Sequence, residues 1–197
     1  MSVMSGVEAT FCRSAPWRAF AGRVVLPWAI QGRSLGADVL ELGGVSGAMA
    51  AELLRRQPLI DLTVADVDPA MVAVAQRRLA SFGDRARSEV ADATDLSFED
   101  ESFDAVCLWL MLHHTIGWQS AIREVRRVLR PGGMLVGYDL TNRFASRWFH
   151  RLDRSPHLLV TPDQLDHELH ARSFSAISVQ PGLAKQVMRF AATRPAS

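Results

Sequence analysis

The first residues whose types and spacing point to chemistry are an acid and the glycines that follow it. In "VLELGGVSGAMA", Val39 to Ala50, an apolar run ends in Glu41, glycines stand at 43, 44 and 47, and an alanine-rich stretch continues. The pattern reads as a strand, a tight turn and a helix start, the place where α/β proteins hold a ligand. Two further acids close later apolar runs, Asp66 in "LIDLTVAD" and Asp92 in "RSEVAD". The glycine spacing does not fit G-x-G-x-x-G, which brings backbone amides against a pyrophosphate. An acid ahead of the glycines suits a positive group better than a phosphate. Asp66 lies 19 residues beyond Gly47, where a carboxylate accepts from both hydroxyls of a ribose. Asp92, one strand over, can accept from an exocyclic amine. The implied ligand carries an amino group, a ribose and a base, with no phosphate.

These residues need a scaffold, and the rest of the chain supplies one. Strands are expected at 37–42, 59–66, 87–92, 103–110 and 134–139, and helices at 47–57, 69–82, 118–130 and 161–173. Pro69 and Pro162 stand at first helical positions, with Asp68 and Thr161 before them as N-caps. "FDAVCLWL" is apolar almost throughout, the mark of a strand covered on both faces. Pro131-Gly132-Gly133 is expected to end a helix, and Pro181-Gly182 to turn a hairpin between strands near 174–180 and 185–192. Strand and helix alternate from about residue 37, which implies a doubly wound, Rossmann-like α/β sheet, mostly parallel with an antiparallel last strand. One domain over 1–197 is expected, with residues 10–35 as an N-terminal helical cover on one side of the ligand site.

S-adenosylmethionine (SAM) has the amino group, ribose and base that the acids call for, and here the chain resembles the class I SAM-dependent methyltransferases. The resemblance is to the small-molecule group that includes the ubiquinone/menaquinone C-methylases. It covers about residues 37–140: "VLELGGVSG", "VADVDPAM", "ADATDLSFEDESFDAV" and "LWLMLHH" followed by "EVRRVLRPGGML". It implies a seven-stranded sheet and a cofactor set of Glu41, Gly43, Gly44, Val45, Gly47, Asp66, Val67, Asp92, Ala93 and Trp109. In that set Asp66 is the ribose acid, Asp92 meets the adenine amine and the Ala93 N–H meets the ring. The backbone at Trp109 and Leu110 lies near the SAM amino group, and the side chain there lies near the substrate. Val45 departs from the family's central glycine. A β-branched residue resists the left-handed backbone that a glycine permits, and adjacent Gly44 is expected to absorb the unusual dihedral.

The acceptor side is less legible. His114 is the candidate general base, while His113 reads as a loop residue and Asp104 as structural. Leu110, Tyr138, Asp139 and His150 are the candidate substrate contacts. "NRFASRWFHRLDR" places Arg143, Arg147 and Arg151 on one helical stripe and Phe144, Trp148 and Leu152 on another. That reads as an amphipathic helix with a solvated basic face, or as a lid over 142–157 that also carries Asp153.

Bulk properties narrow the classes. The chain has 197 residues, 48% hydrophobic and 22% charged, with a net charge of +1. Nothing there calls for nucleic acid or a membrane, and no signal peptide or bilayer-spanning run is visible. Cys12 and Cys107 suggest neither a disulfide framework nor a metal site. The expectation is a cytoplasmic methyltransferase, monomer or homodimer, that uses SAM on a small, partly apolar metabolite. The rivals are a non-catalytic SAM-fold protein impaired by Val45 and a nicotinamide-dependent oxidoreductase.

Overall fold

A computed structural model of the chain describes residues 19–44, 47–141, 159–182 and 185–196. Val45, His150 and the whole stretch 142–157, with its arginine stripe and Asp153, lie outside the described residues, as does Cys12. A π-helical turn, Ala21–Val25, runs into helix α1, Leu26–Ile30. The order then is β1 Asp38–Leu42, α2 Ala48–Arg56, β2 Asp61–Asp66, α3 Pro69–Leu79, a 3-10 stretch Ala80–Arg85, β3 Ala86–Val90 and β4 Phe103–Trp109. A 3-10 turn Leu112–His114 leads to α4 Trp118–Val128, β5 Leu129–Leu140, α5 Pro162–Ala171, β6 Ser175–Gly182 and β7 Val187–Thr193.

The strands form one seven-stranded sheet in the order β3-β2-β1-β4-β5-β7-β6. β1 to β5 pair in parallel, and β7 runs antiparallel to both β5 and β6. The apolar run of β4 has the cause the sequence suggested. Ala105, Cys107 and Trp109 face one core with α1, α2 and α3, while Val106 and Leu108 face the other with α4 and α5. On α4, Ile122, Val125 and Val128 are fully buried, a spacing that keeps them on one face of the helix. Each contributes about 1.5–3 kcal/mol against exposure.

Helix starts follow local chemistry. The Asp68 carboxylate accepts from the Ala70 N–H at 2.8 Å, and Thr161 and Gln164 form a reciprocal capping box. No side chain among the described residues caps helix α2. Its N-cap is Gly47 in the left-handed region, φ 64°, and this leaves the amides of its first turn without a side-chain acceptor.

Two expectations are corrected. Pro181 and Gly182 do not turn the hairpin: they belong to β6 and pair with Met188 and Val187, so the chain reverses after them. Proline is tolerated there because β6 is an edge strand, with no neighbour on its outer side among the described residues. Likewise Pro131-Gly132-Gly133 lies inside β5, whose register against β4 shifts between Leu129 and Met134. Gly132 takes φ 81°, and Gly133 packs against the carbonyl oxygens of Asp104 and Arg130, too close for a Cβ. The proline and glycines therefore bulge a strand start rather than precede it.

Asp104 is structural, as expected. Its Oδ2 accepts from the N–H groups of Ala37 and Asp38 at 2.8 and 3.0 Å, and its Oδ1 accepts from Arg130, which also bridges to Asp38. The carboxylate ties the entry of β1 to β4 and β5. Asp104→Ala strips two backbone amides of their acceptor and is expected to lower stability by about 1–3 kcal/mol. Urea unfolding followed by far-UV circular dichroism measures it, and an unchanged midpoint would remove Asp104 from this role.

Candidate active site

The sheet order reverses at β1 and β4, so the chain leaves their carboxyl ends in opposite directions and opens a crevice. The segment after β1 is held by β2: Gly43 N–H donates to the Ala65 carbonyl at 2.9 Å, and Gly47 N–H closes onto the Gly44 carbonyl at 2.7 Å. Gly43 and Gly47 adopt left-handed dihedrals, φ 71° and 64°. Gly44 does not, so it is not the residue that absorbs the turn's unusual dihedral. Its reason is steric: a Cβ there would overlap Val64 Cγ1 and lie 3.3 Å from Glu41 Oε1.

Glu41 therefore sits directly against the glycine turn. It is 1% exposed, and Trp109 Nε1 donates to its Oε2 at 3.2 Å. Burial pushes its carboxyl up to about 8, with the Trp109 hydrogen bond pulling the other way. Trp109 entered the cofactor set through its backbone. Its indole turns out to be the partner of the motif acid.

Asp66, at the end of β2, is 9% exposed, and its Oδ1 accepts from Asp68 N–H at 3.0 Å. Val67 lies between the two. Ala91 N–H donates to the Asp66 carbonyl, bringing the end of β3 alongside. Asp92 follows and folds back on its own turn: its Oδ1 accepts from both the N–H and the hydroxyl of Thr94 at 2.8 Å. Burial pushes the Asp92 carboxyl up, but the Thr94 bonds outweigh it and the net shift is downward. Ala93 beside it is buried.

At the end of β4 the backbone turns sharply. Leu110 takes φ 53°, unusual for a side chain of its size, and its N–H donates to the Tyr138 carbonyl at 2.9 Å. The Trp109 and Tyr138 rings lie 5.8 Å apart, and Trp28 of α1 meets Tyr138 edge-on at 6.2 Å. Leu110 and Tyr138, with Phe20, Val24, Trp28 and Val187, line an apolar cavity of about 250 Å³. The N-terminal helical segment thus walls this cavity.

Asp139, expected on the substrate path, is 1% exposed and committed to the loop after β4. Its carboxylate accepts from the N–H groups of Leu112 at 2.7 Å and Leu140 at 2.6 Å, and it meets His113 Nδ1 at 2.5 Å. His113, read from sequence as a plain loop residue, is the histidine with a carboxylate partner. The His114 ring lies against the His113 ring, centroids 4.0 Å apart. The register offered a signal. Tyr138 pairs with Trp109, so an acid one residue later must lie level with the start of the histidine loop. Among the described residues no cluster of His, Cys, Asp and Glu has the makings of a metal site, and no helix is long and apolar enough to cross a membrane.

Residues 39–133 match a family model described as a methyltransferase domain. Demethylmenaquinone methyltransferase from Clavibacter sepedonicus is 37% identical over 120 residues, covering 61% of this chain and 45% of that one. A ubiquinone/menaquinone biosynthesis C-methyltransferase from Hahella chejuensis is 35% identical over 104 residues, 51% and 42% of the two chains. The chain spans about half the length of the relatives it matches. Among solved structures, the [4+2]-cyclase SpnF superposes with a TM-score of 0.77 at 21% identity over 94% of this chain and 84% of its own. Identity at that level speaks for the fold alone. The segment that matches the methyltransferase-domain model thus lies inside a seven-stranded sheet of Rossmann-like, mostly parallel topology, and the solved structures share that fold.

Proposed function

We propose that the protein transfers the methyl group of SAM to a small, predominantly apolar acceptor. The observation that carries this reading is the adjacency of two sites at the end of β4. On one side lie Glu41, the glycine turn and Asp66, and on the other lies the apolar cavity at Leu110 and Tyr138.

The residues present suit SAM. Gly44 lets the turn pack against Val64, and Glu41 is a buried acid beside that turn. Glu41 would favour the cationic methionine end. Asp66, with Val67 next to it, would take the ribose, and Asp92 and Ala93 the adenine. When bound, SAM supplies an already activated methyl group, so the protein's task is alignment and exclusion of water. Alignment alone is worth up to about 7–11 kcal/mol. The cavity's apolar walls, which include Trp28 and Tyr138, serve the second need. The quinone-directed names of the relatives point to the same acceptor chemistry. A carbon or hydroxyl acceptor must also lose a proton. Asp139 fixes the His113 ring through Nδ1, which orients the other ring nitrogen as the proton acceptor. His113, rather than His114, is therefore the proposed base. The enzyme is read as cytoplasmic and independent of nucleic acid. The deciding experiment is calorimetry with SAM, followed by mass spectrometry of a panel of hydroxylated aromatic and quinol acceptors for the gain of one methyl group. Absence of SAM binding sinks the reading.

Three further outcomes are expected. Asp66→Ala weakens SAM binding by about 1.5–3 kcal/mol, the range for hydrogen bonds to a charged group. Unchanged affinity in calorimetry would exclude it from the ribose site.

Asp139→Asn keeps SAM affinity but lowers turnover by about 10²–10⁴-fold. Turnover equal to that of the natural protein would exclude the His113–Asp139 pair from catalysis.

Glu41 links both stability and affinity to pH. Folded Glu41 releases its proton near 8 and an unfolded glutamate near 4.5. Between those values the folded state holds the extra proton, so this residue's contribution to stability falls as pH rises, by about 1.4 kcal/mol per unit at most. A cation bound against Glu41 favours the carboxylate, so SAM binding releases a proton and tightens as pH rises toward 8. Titrations in buffers of different ionisation enthalpy count that proton. Glu41→Gln is expected to abolish both effects, and equal proton release by the variant would refute the assignment.

A further inference from the structure

At the opposite end of the sheet from the glycine turn, where the parallel strands begin, a groove of about 580 Å³ runs between α4 and α5. Five guanidinium groups line it, Arg123, Arg126, Arg127, Arg172 and Arg194, against two carboxylates, Asp100 and Glu124. The acids are already taken. Arg127 binds both, at 2.7 and 2.8 Å, while donating to the carbonyls of Leu96 and Phe98. Glu124 also accepts from Leu96 N–H. Burial pushes the Glu124 carboxyl up, but these bonds and the nearby Arg123 charge bring it below its ordinary value.

Arg194 caps the end of α4, donating to the carbonyls of Arg126, Arg127 and Leu129, and pairs with Glu101. It thereby masks the negative pole that a helix C-terminus would otherwise turn toward the groove. Arg172 is anchored by Glu168 at 2.7 Å. Arg123 and Arg126 are left over: neither guanidinium has a hydrogen bond or ion pair among the described residues. The Arg126 Nε is sealed from solvent and has no acceptor among the described residues. A buried donor without a partner is costly and asks for one. The groove thus presents more guanidinium donors than it has carboxylates to pair them.

We propose that this groove binds a phosphate-bearing small ligand, held by Arg123, Arg126 and Arg172 and walled by Arg127 and Arg194. Guanidinium forks match phosphate oxygens two at a time, and the groove is roomy enough for more than one phosphate. The proposal is independent of the methyl-transfer reading, since the site lies at the far rim of the sheet.

The test is titration of the whole chain with inorganic pyrophosphate at about 0.15 M NaCl, where exposed charges are largely screened. Calorimetry and the thermal midpoint are read with and without SAM. One pyrophosphate per chain is expected, with a Kd of about 0.1–1 mM and unchanged SAM affinity. Orthophosphate is expected to bind more weakly at the same site, which separates a lone phosphate source from a polyphosphate one. Arg123→Gln, on an exposed position, is expected to weaken binding about tenfold, and Arg123→Gln with Arg126→Gln to abolish it, both keeping the natural far-UV spectrum. No heat and no midpoint gain beyond equal ionic strength of NaCl would overturn the site. So would binding of several ions per chain, binding retained by the double variant, or binding of an acidic peptide where pyrophosphate fails.

Discussion

A carboxyl group with no water around it is costly as an anion and tolerable as an acid, and Glu41 places that constraint at the centre of the molecule. It stands on β1, flanked by β2 and β4, with Cys107 as its register partner. Its carboxyl accepts from the Trp109 indole. The glycine turn can close over it because Gly44 carries no side chain. Trp109 in turn packs on Tyr138, and Tyr138 on Trp28. A single buried acid is thus linked, through one indole and one phenol, to the wall of the apolar cavity. A change in its charge would be felt along that aromatic row.

The antiparallel end of the sheet serves the same region from the other side. β7 lies between β5 and β6, and its Phe190 fills the space above Gly137 so closely that a Cβ there would overlap the ring. That packing fixes β5, and β5 delivers Tyr138 to the cavity and Asp139 to the histidine loop on successive residues. Tyr138 and Asp139 are neighbours near the end of β5, so the cavity and the histidine pair share one strand end. Arg189 of β7 lies over the Trp28 ring at 5.4 Å and holds the N-terminal segment against this edge.

Much of this was legible in the residues because it rests on local rules. The strand faces, the caps at Asp68 and Thr161 and the three acids at strand ends follow from periodicity and from chain position. What escaped depended on long-range register. Pro181-Gly182 has the composition of a turn, and only the unoccupied edge beside β6 makes it a strand. Pro131-Gly132-Gly133 looks like a break, yet β4 absorbs it as a bulge. The two histidines are adjacent and chemically identical, so nothing local distinguishes them. The distinction comes from Asp139, 26 residues away in sequence. Gly44 was read for its dihedral when its constraint is Val64 of the next strand. In each case the deciding atom belongs to a different element.

Cys107 gives the fold an internal clock. It lies at the middle of β4, between β1 and β5, with no solvent exposure. Burial and the neighbouring Glu41 hold its thiol far from ionising. Thiol reagents attack the thiolate, so this sulfur is inert until the central strand separates from both neighbours. Fraying of the edges or opening of loops does not reach it. Its alkylation rate, read at this one peptide by mass mapping, is therefore a direct count of how often the whole molecule comes apart.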